Sequence, residues 1–217
     1  LILATGGSGM VKAAYSAGKP AYGVGPGNVP AFIERTANIG KAVSDIIASR
    51  TFDNGTICAS EESLVTESAI EDEVIEELRA QGGWLVSDSE ADALGKLLVF
   101  GDGRMNSATV GRDAMTIARM AGIRVPEGTK VLVARIGGVG SAYPLSREKL
   151  CSVLAFYVES NWQTACERCI EILKLGGIGH SLVIHSRDEA VIREFALKKP
   201  VFRVLVNTPA THGDIGL

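Results

Sequence analysis

The sequence predicts an α/β fold with a mainly parallel sheet and helices on both of its faces. Short apolar runs typical of strands alternate with helical stretches of about ten to fifteen residues, which is the pattern of βαβ units. Residues 131–136 form a nearly continuous apolar run, as strands buried on both faces do. The 217 residues, 46% of them hydrophobic, are enough for one large domain or a domain and a half.

Nine strands are predicted from short apolar runs that are bounded by glycine, proline or polar residues. In chain order they cover residues 1–4, 20–24, 29–33, 63–66, 84–86, 131–136, 153–158, 181–184 and 201–206. The chain begins within such a run and ends in a glycine-containing loop, residues 207–216. We therefore expect a truncated piece of a longer protein.

Seven helices are predicted from apolar residues that recur at intervals of three and four positions. They cover residues 10–17, 38–51, 68–80, 89–100, 112–121, 161–175 and 188–197. Asn38 and Asn161 stand at the start of two of them and are suitable N-caps, because an Asn side chain accepts hydrogen bonds from the first helical N–H groups.

Composition argues against several classes of protein. The formal net charge of −3 gives no electrostatic reason to expect nucleic acid, and we expect no membrane span because no sufficiently long apolar run exists. Four cysteines are too few for a disulfide framework, and no secretory signal is seen, so the cytoplasm is the expected compartment. No metal-binding motif occurs, and we predict no metal site.

Glycine-rich loops follow three of the predicted strands and are candidate ligand sites. Thr5, Gly6 and Gly7 open a strand–turn–helix unit of the kind that presents backbone N–H groups to a phosphate. Their spacing is not the full dinucleotide-binding pattern, and a simple tight turn is the alternative. Residues 25–28 and 207–216 form the other two loops. Ligands of parallel sheets bind outside the carboxyl ends of the strands, where we expect the site.

Cys58 is the candidate nucleophile. It follows the turn sequence Asp53-Asn54-Gly55, and residues 59–62 are expected to open a short helix. A thiol near helical N–H groups is stabilised as the reactive thiolate. The alternative is a cysteine that acts as a small buried hydrophobe.

Cys166 and Cys169 are predicted to be buried hydrophobes. They lie at positions i and i+3 in the middle of a predicted helix, on one stripe with Trp162 and Leu173. A redox C-x-x-C motif stands instead at a helix N-terminus after a strand. A redox or metal role is the less favoured alternative.

Six segments, in this order, carry a resemblance to a known family. They are ATGGSGMVKAAYSAGKP, GVGPGNVPAFIE, FDNGTICASE, EKL at residues 148–150, GGIGHS and VLVNTPA. Together they resemble the CoA-acylating aldehyde dehydrogenases. This family includes the aldehyde dehydrogenase half of bifunctional aldehyde-alcohol dehydrogenases, and the sulfoacetaldehyde and microcompartment enzymes. The resemblance runs over essentially the whole chain and favours Cys58 as a nucleophile.

The resemblance implies a domain division and a set of cofactor contacts. Residues 1–18 are similar to the last strand and helix of a dinucleotide-binding domain, with Thr5, Gly6 and Gly7 near the pyrophosphate of NAD or NADP. Residues 19–217 are similar to the catalytic domain without its C-terminal segments. Glu148 matches a glutamate that hydrogen-bonds the nicotinamide ribose. The asparagine that completes the oxyanion hole in relatives has no counterpart here.

The resemblance also implies a reaction. The Cys58 thiolate attacks an aldehyde, NAD accepts the hydride, and coenzyme A takes the acyl group from the cysteine thioester. Residues 23–27 replace a glutamate-containing segment of hydrolytic relatives, so we expect no carboxylate there to activate water. The alternatives are a catalytically silent module of the same family and, less favoured, a hydrolytic aldehyde dehydrogenase.

Three further residues are candidate site residues, and His212 among them departs from the small or amide residues usual in the family. His180 is expected on the cofactor or CoA side, or as a structural residue that locks its loop. Asn28 and His212 are assigned to substrate binding, with a surface-loop histidine as the alternative for His212. Glu62 stands where the family commonly has glutamine. The expected partners are an aldehyde, CoA and, in the full-length protein, further copies in a homo-oligomer, either in the cytoplasm or within a bacterial microcompartment.

Overall fold

The computed structural model describes residues 1–216 of the chain. This part contains nine strands and eight α-helices. The strands are β1 (Ile2–Thr5), β2 (Ala21–Val24), β3 (Val29–Ile33), β4 (Glu61–Glu67), β5 (Gly83–Leu85), β6 (Val131–Arg135), β7 (Val153–Glu159), β8 (Ser181–His185) and β9 (Arg203–Val206). The helices are α1 (Ser8–Ser16), α2 (Ile39–Thr51), α3 (Glu71–Ala80), α4 (Asp88–Leu98), α5 (Ala114–Ala121), α6 (Trp162–Gly176), α7 (Glu189–Lys198) and α8 (Ala210–Ile215).

Two parallel sheets organise the chain. Seven strands form one sheet in the order β5-β6-β7-β4-β3-β8-β9, and β1 pairs with β2 in a separate sheet of two strands. Every strand pair is parallel, which confirms the predicted α/β class. The expected domain division at residue 18 falls between β1 and β2, which are paired with each other.

Helices cover both faces of the seven-stranded sheet because successive strand residues point to opposite sides. Ala31 and Ile33 of β3 face the apolar stripes of α2 and α3, whereas Phe32 faces α6 and α7. The rings of Phe32 and Phe195 stack there with their centroids 4.9 Å apart. Cys169 is buried in the same layer, as its helical spacing predicted.

Two local predictions were wrong. Residues 59–62 do not open a helix, because Glu61 begins β4, which pairs with β3 on one side and with β7 on the other. Sheet pairing in the core outweighs the weak local helical preference. Residues 207–216 are not entirely loop, because they contain α8. The N–H of Ala210 donates to the Glu61 carboxylate at 2.8 Å, and the N–H of Thr211 donates to Ser49 Oγ.

None of the helices in residues 1–216 has both the length and the apolar character needed to cross a bilayer.

Candidate active site

Four predicted site residues and Gly27 lie at the amino-terminal edge of the seven-stranded sheet, whereas His212 follows β9 on α8. Gly27 and Asn28 precede β3, Cys58 precedes β4, Glu148 precedes β7 and His180 precedes β8. The expectation that the site lies at the carboxyl ends of the strands is therefore wrong for this sheet. The carboxyl ends of β1 and β2 do lead into this edge, because the loop after β2 runs directly into β3.

A left-handed turn holds the segment that carries Cys58. Asp53 and Asn54 have φ angles of 47° and 51°, and Gly55 follows with a φ of 76°. Asx residues tolerate this conformation better than other side chains do. A Cβ on Gly55 would lie 3.0 Å from the carbonyl oxygens of both Arg50 and Cys151, so space as well as backbone angle favours glycine here. The predicted turn chemistry is confirmed.

Cys58 differs from the other three cysteines in its accessibility. Its side chain is half-buried, whereas Cys151, Cys166 and Cys169 are buried. Burial raises the pKa of Cys151 to about 11 and that of Cys169 to about 12. Reagents and substrates therefore reach Cys58 more readily than the other thiols, as a nucleophile requires.

Gly27 joins the site residues to one another. A Cβ placed on it would lie 2.1 Å from the carbonyl oxygen of Cys58 and 3.3 Å from Cε1 of His180. Its N–H donates a hydrogen bond of 3.0 Å to Oε1 of Glu148. The absence of a side chain at this position is thus what allows the segments before β3, β4 and β8 to meet.

Glu148 brings a carboxylate to this loop from a distant part of the sequence. Burial raises its pKa to about 7, and the negative charge of Glu62 acts in the same direction, while the N–H of Gly27 opposes both. The expectation that no carboxylate activates water at residues 23–27 stays a prediction. Those residues supply none, but the fold places Glu148 against Gly27.

A buried ion cluster fixes the segment that carries Glu148. Glu62 lies 2.6 Å from Arg50 and 3.1 Å from the Lys149 ammonium, and all three side chains are nearly inaccessible. Glu62 also accepts the N–H of Lys149 at 3.1 Å. Burial lowers the pKa of Lys149. Sequence reasoning missed Arg50, although it continues the apolar stripe of Ile46 and Ile47 on α2, where a charge needs a buried partner.

Asn28 has a structural role in this arrangement. Its Nδ2 donates to the carbonyl oxygens of Ser146 at 2.9 Å and of Ile172 at 3.1 Å, and the residue is 1% exposed. It therefore ties β3 to α6 and to the segment before Glu148. The predicted contact of Asn28 with substrate stays a prediction.

The two predicted histidines differ in their surroundings. His180 is buried, its ring centroid lies 6.2 Å from that of Phe202, and it borders Gly27. His212 is exposed on α8. His180 thus lies in the site, whereas the role of His212 stays a prediction.

A cavity of about 510 Å³ opens beside Gly27 and has the features of a phosphate-binding site. Gly7 and Ser8 line it at the start of α1, facing Arg104, Arg147 and Glu148. No side-chain cap occupies the first N–H groups of α1, and a Cβ on Gly7 would meet open space. Backbone N–H groups at a helix start and two guanidinium groups suit a phosphate-bearing molecule.

Comparisons with known proteins agree with these features. No protein-family model matches the chain. The bifunctional aldehyde-alcohol dehydrogenase of Escherichia coli K12 is 43% identical over 219 residues, which cover 100% of this chain and 24% of that protein. An acetylating aldehyde dehydrogenase structure from Geobacillus thermoglucosidasius is 48% identical with a TM-score of 0.96, covering 99% of this chain and 47% of that one.

A third relative was solved with a ligand. The propionaldehyde dehydrogenase structure from Rhodopseudomonas palustris contains bound CoA and an acylated cysteine. It is 26% identical with a TM-score of 0.88, and the match covers 98% of this chain and 48% of that chain. The chain thus spans between a quarter and about half of the proteins it matches.

Proposed function

We propose an activity for this chain, which belongs to the same family as the CoA-acylating aldehyde dehydrogenases. Its protein converts an aldehyde, NAD and CoA reversibly to an acyl-CoA and NADH. The observation that carries the proposal is the accessibility of Cys58 at an edge where Gly27, Glu148 and His180 meet. The aldehyde dehydrogenase relatives support the choice of reaction.

Cys58 acts as the covalent catalyst in this proposal. Its thiolate attacks the aldehyde carbonyl, and its backbone N–H stabilises the oxyanion that forms. The residues that line the cavity beside Gly27 would hold NAD, which would supply the hydride acceptor for the carbon atom attached to the sulfur. The thioester left on Cys58 is then attacked by the CoA thiolate, and the Cys58 thiolate departs as acyl-CoA forms.

The cavity residues suit the binding of NAD or NADP. We assign the pyrophosphate to Thr5, Gly6 and Gly7, because the loop they form precedes the uncapped start of α1. Glu148 is assigned to accept hydrogen bonds from the nicotinamide ribose. His180 is assigned to the cofactor or CoA side, because it borders Gly27 from the other direction.

The remaining features of the whole protein are proposed from its relatives. Residues 1–18 belong to the dinucleotide-binding domain and residues 19–217 to the catalytic domain, and the pairing of β1 with β2 suggests moving this boundary past residue 24. The protein acts as a homo-oligomer in the cytoplasm or in a bacterial microcompartment. A relative from such a compartment supports the second location.

An activity assay tests the proposed reaction. The full-length protein is incubated with NAD or NADP, CoA and a panel of short aliphatic, sulfonated and hydroxylated aldehydes, and acyl-CoA and NADH are measured. Cys58→Ala is expected to abolish both products, whereas Cys169→Ala, which alters a buried thiol on α6, keeps the activity. Full activity in Cys58→Ala, or no activity with any aldehyde in the wild type, would contradict the proposal.

Hydrolysis of the aldehyde to a free acid is the second candidate. The observation in its favour is the Glu148 carboxylate, whose pKa of about 7 suits a general base and which lies at Gly27. Omitting CoA from the assay separates the two reactions. Hydrolysis would be supported instead of acyl transfer if free acid formed as fast without CoA as acyl-CoA forms with it. The Glu148→Gln variant would then be expected to lose the formation of free acid.

A further inference from the structure

Arg50 reaches the segment that carries Cys58 from the end of α2. Its Nη1 donates to Oγ of Ser60, two residues after Cys58, at 3.1 Å, and to Oε1 of Glu62 at 2.6 Å. The carbonyl oxygen of Arg50 lies 3.0 Å from the position that a Cβ on Gly55 would take. One residue of α2 therefore contacts this segment both before and after the cysteine.

Glu62 extends these contacts to the segment that carries Glu148. Its Oε2 accepts the N–H of Lys149 at 3.1 Å, and its Oε1 accepts the N–H of Leu150 at 3.4 Å. These two residues directly follow Glu148, so the carboxylate holds the backbone just beyond it. Because the same carboxylate binds Arg50, the two segments share one anchor.

Leu150 adopts an unfavourable backbone conformation in this arrangement. Its φ is 47°, in the left-handed region that a leucine rarely occupies. Its N–H donates to Glu62, and its carbonyl oxygen accepts the N–H of Gly111 at 2.9 Å. Backbone strain of this kind persists only where the surrounding contacts impose it, and it is concentrated at functional sites. The strain therefore points to a functional requirement for the position of this segment.

The buried charges are costly for a cluster that only stabilises the fold. The side chains of Arg50, Glu62 and Lys149 are at most 1% exposed, and Nε and Nη2 of Arg50 have no hydrogen-bond partner among the described residues. Well-packed apolar residues often stabilise a protein as much as buried ions do, so stability alone explains such a cluster poorly. The described residues that line the cavity beside Gly27 include none of the three, so any effect on the site passes through the segments that they bind.

The contacts close into a ring around the site. Gly27 joins Cys58 to Glu148 directly, and Arg50 with Glu62 joins the two segments by a second route. We propose that Arg50 and Glu62 are positioning residues that fix Cys58 and Glu148 relative to each other. This inference rests on the proposed function, because it assigns the ring a purpose in that reaction.

The charges in the ring provide a signature that a purely structural role would not produce. Burial, with a smaller contribution from the charge of Glu62, raises the pKa of Glu148 to about 7, whereas the N–H of Gly27 and the charges of Arg50 and Lys149 oppose this rise. Removal of the Glu62 charge therefore lowers the pKa of Glu148, and removal of the Arg50 charge raises it. Loss of stability alone gives no reason for opposite shifts. The other charged residues that line the cavity of Glu148 are Arg104 and Arg147, and both stay unaltered in the variants.

A carbon-13 NMR titration of the Glu148 carboxyl group in the full-length protein tests the proposal without an activity assay. Glu62→Gln is expected to raise the acid dissociation constant of Glu148 at least about threefold, and Arg50→Met to lower it by a similar factor. The signal is assigned by its loss in Glu148→Gln. Glu194→Gln, which removes a surface charge on α7, is the control and leaves the titration unchanged. No shift in either variant, or shifts in the same direction, overturns the proposal.

Steady-state kinetics of acyl-CoA formation is the second measurement. Ser60→Ala removes the contact of Arg50 on the cysteine side, and it is expected to lower kcat at least about tenfold while KM for NAD changes less than about twofold. Arg50→Lys keeps the positive charge and is expected to recover part of the activity that Arg50→Met loses. A wild-type kcat in Ser60→Ala overturns the positioning role.

A core variant controls for lost stability. Ile46→Val shortens a buried side chain one turn earlier on α2 and removes no contact of the ring, so kcat is expected to stay within about twofold of the wild type. A loss of kcat in Ile46→Val as large as that in Ser60→Ala would show that stability, and not position, controls the rate.

The two measurements separate this inference from the reaction on which it rests. A wild type that forms no acyl-CoA contradicts the proposed reaction, while the NMR titration still decides whether Arg50 and Glu62 are coupled to Glu148. An active wild type in which the Glu148 signal responds to neither variant contradicts the positioning role alone.

Discussion

Gly27 makes the closest backbone approach in the candidate active site. Its Cα faces the carbonyl oxygen of Cys58, and its N–H donates to Glu148 at 3.0 Å. A side chain here would have to displace backbone rather than a flexible side-chain end. Gly25, two residues earlier in the same loop, has open space around its Cβ position. The two glycines therefore form a matched pair for substitution.

We expect Gly27→Ala to lower the rate of acyl-CoA formation by about a hundredfold or more, because a displacement of about 1 Å at reacting groups has effects of that size. Gly25→Ala is expected to change the rate by less than about twofold, since its methyl group meets no atom within 4 Å. Steady-state kinetics of the two variants makes the comparison. Equal rates for both would show that the contact between Gly27 and Cys58 does not matter.

Selective alkylation is a second prediction for single residues. Iodoacetamide is expected to modify Cys58 at least about tenfold faster than Cys151, Cys166 or Cys169, because the latter three are buried. Mass spectrometry of peptides from the native protein measures the four rates, and denatured protein is the control in which the difference disappears. Faster labelling of Cys169 than of Cys58 in the native state would remove the basis for a cysteine nucleophile.

The elements around the site are joined by buried charge. Glu62 of β4 contacts Arg50 at the end of α2 and Lys149 in the segment before β7. Three elements that are distant in the sequence therefore share one ion cluster. Since its members are inaccessible to water, the loss of one partner leaves uncompensated buried charge.

We expect Glu62→Ala to lower the free energy of unfolding by about 3–5 kcal/mol, the usual cost of breaking a buried ion pair by removing one partner. Urea denaturation measures the change. Glu194→Ala, which removes a surface pair with Lys198, is the control and is expected to leave the unfolding midpoint nearly unchanged. A small effect for Glu62→Ala would mean that water or a rearrangement compensates the charges of Arg50 and Lys149.

Two buried carboxyl groups give the whole molecule a pH-dependent stability. The pKa values of Glu61 and Glu148 are both raised from 4.5 to about 7, in each case chiefly by burial. At pH values between 4.5 and about 7, the folded protein therefore binds more protons than the unfolded chain does. The contribution of the two groups to stability is therefore largest below pH 4.5 and is lost as the pH rises through about 7.

Glu61→Gln is expected to stabilise the protein at about pH 8 by an amount of order 3 kcal/mol, and to have little effect at about pH 4, where Glu61 is neutral in both states. The amide oxygen still accepts the N–H of Ala210, so the contact with α8 persists. Denaturation curves at the two pH values measure the gain, and Glu76→Gln on the surface of α3 is the control. A gain of equal size at both pH values would contradict the raised pKa.

Local patterns in the sequence were sufficient to predict the elements that are regular and long. The spacing of apolar residues predicted the long helices and all nine strands, because burial against a sheet demands a fixed period. The N-cap roles of Asn38 and Asn161 were likewise predictable, since capping acts within one turn. The order of six motifs along the chain led to the family, which the comparisons confirm.

Tertiary structure decided which edge of the sheet carries the site and which charges meet there. The pairing of Glu61 within β4 replaced the short helix expected after Cys58, because ladder partners on both sides outweigh local preference. Glu148 reaches Gly27 across 121 positions of sequence, a distance over which no local pattern carries information. The sequence alone determined the period of burial and made Cys58 the candidate nucleophile, whereas long-range packing determined the surroundings of Cys58.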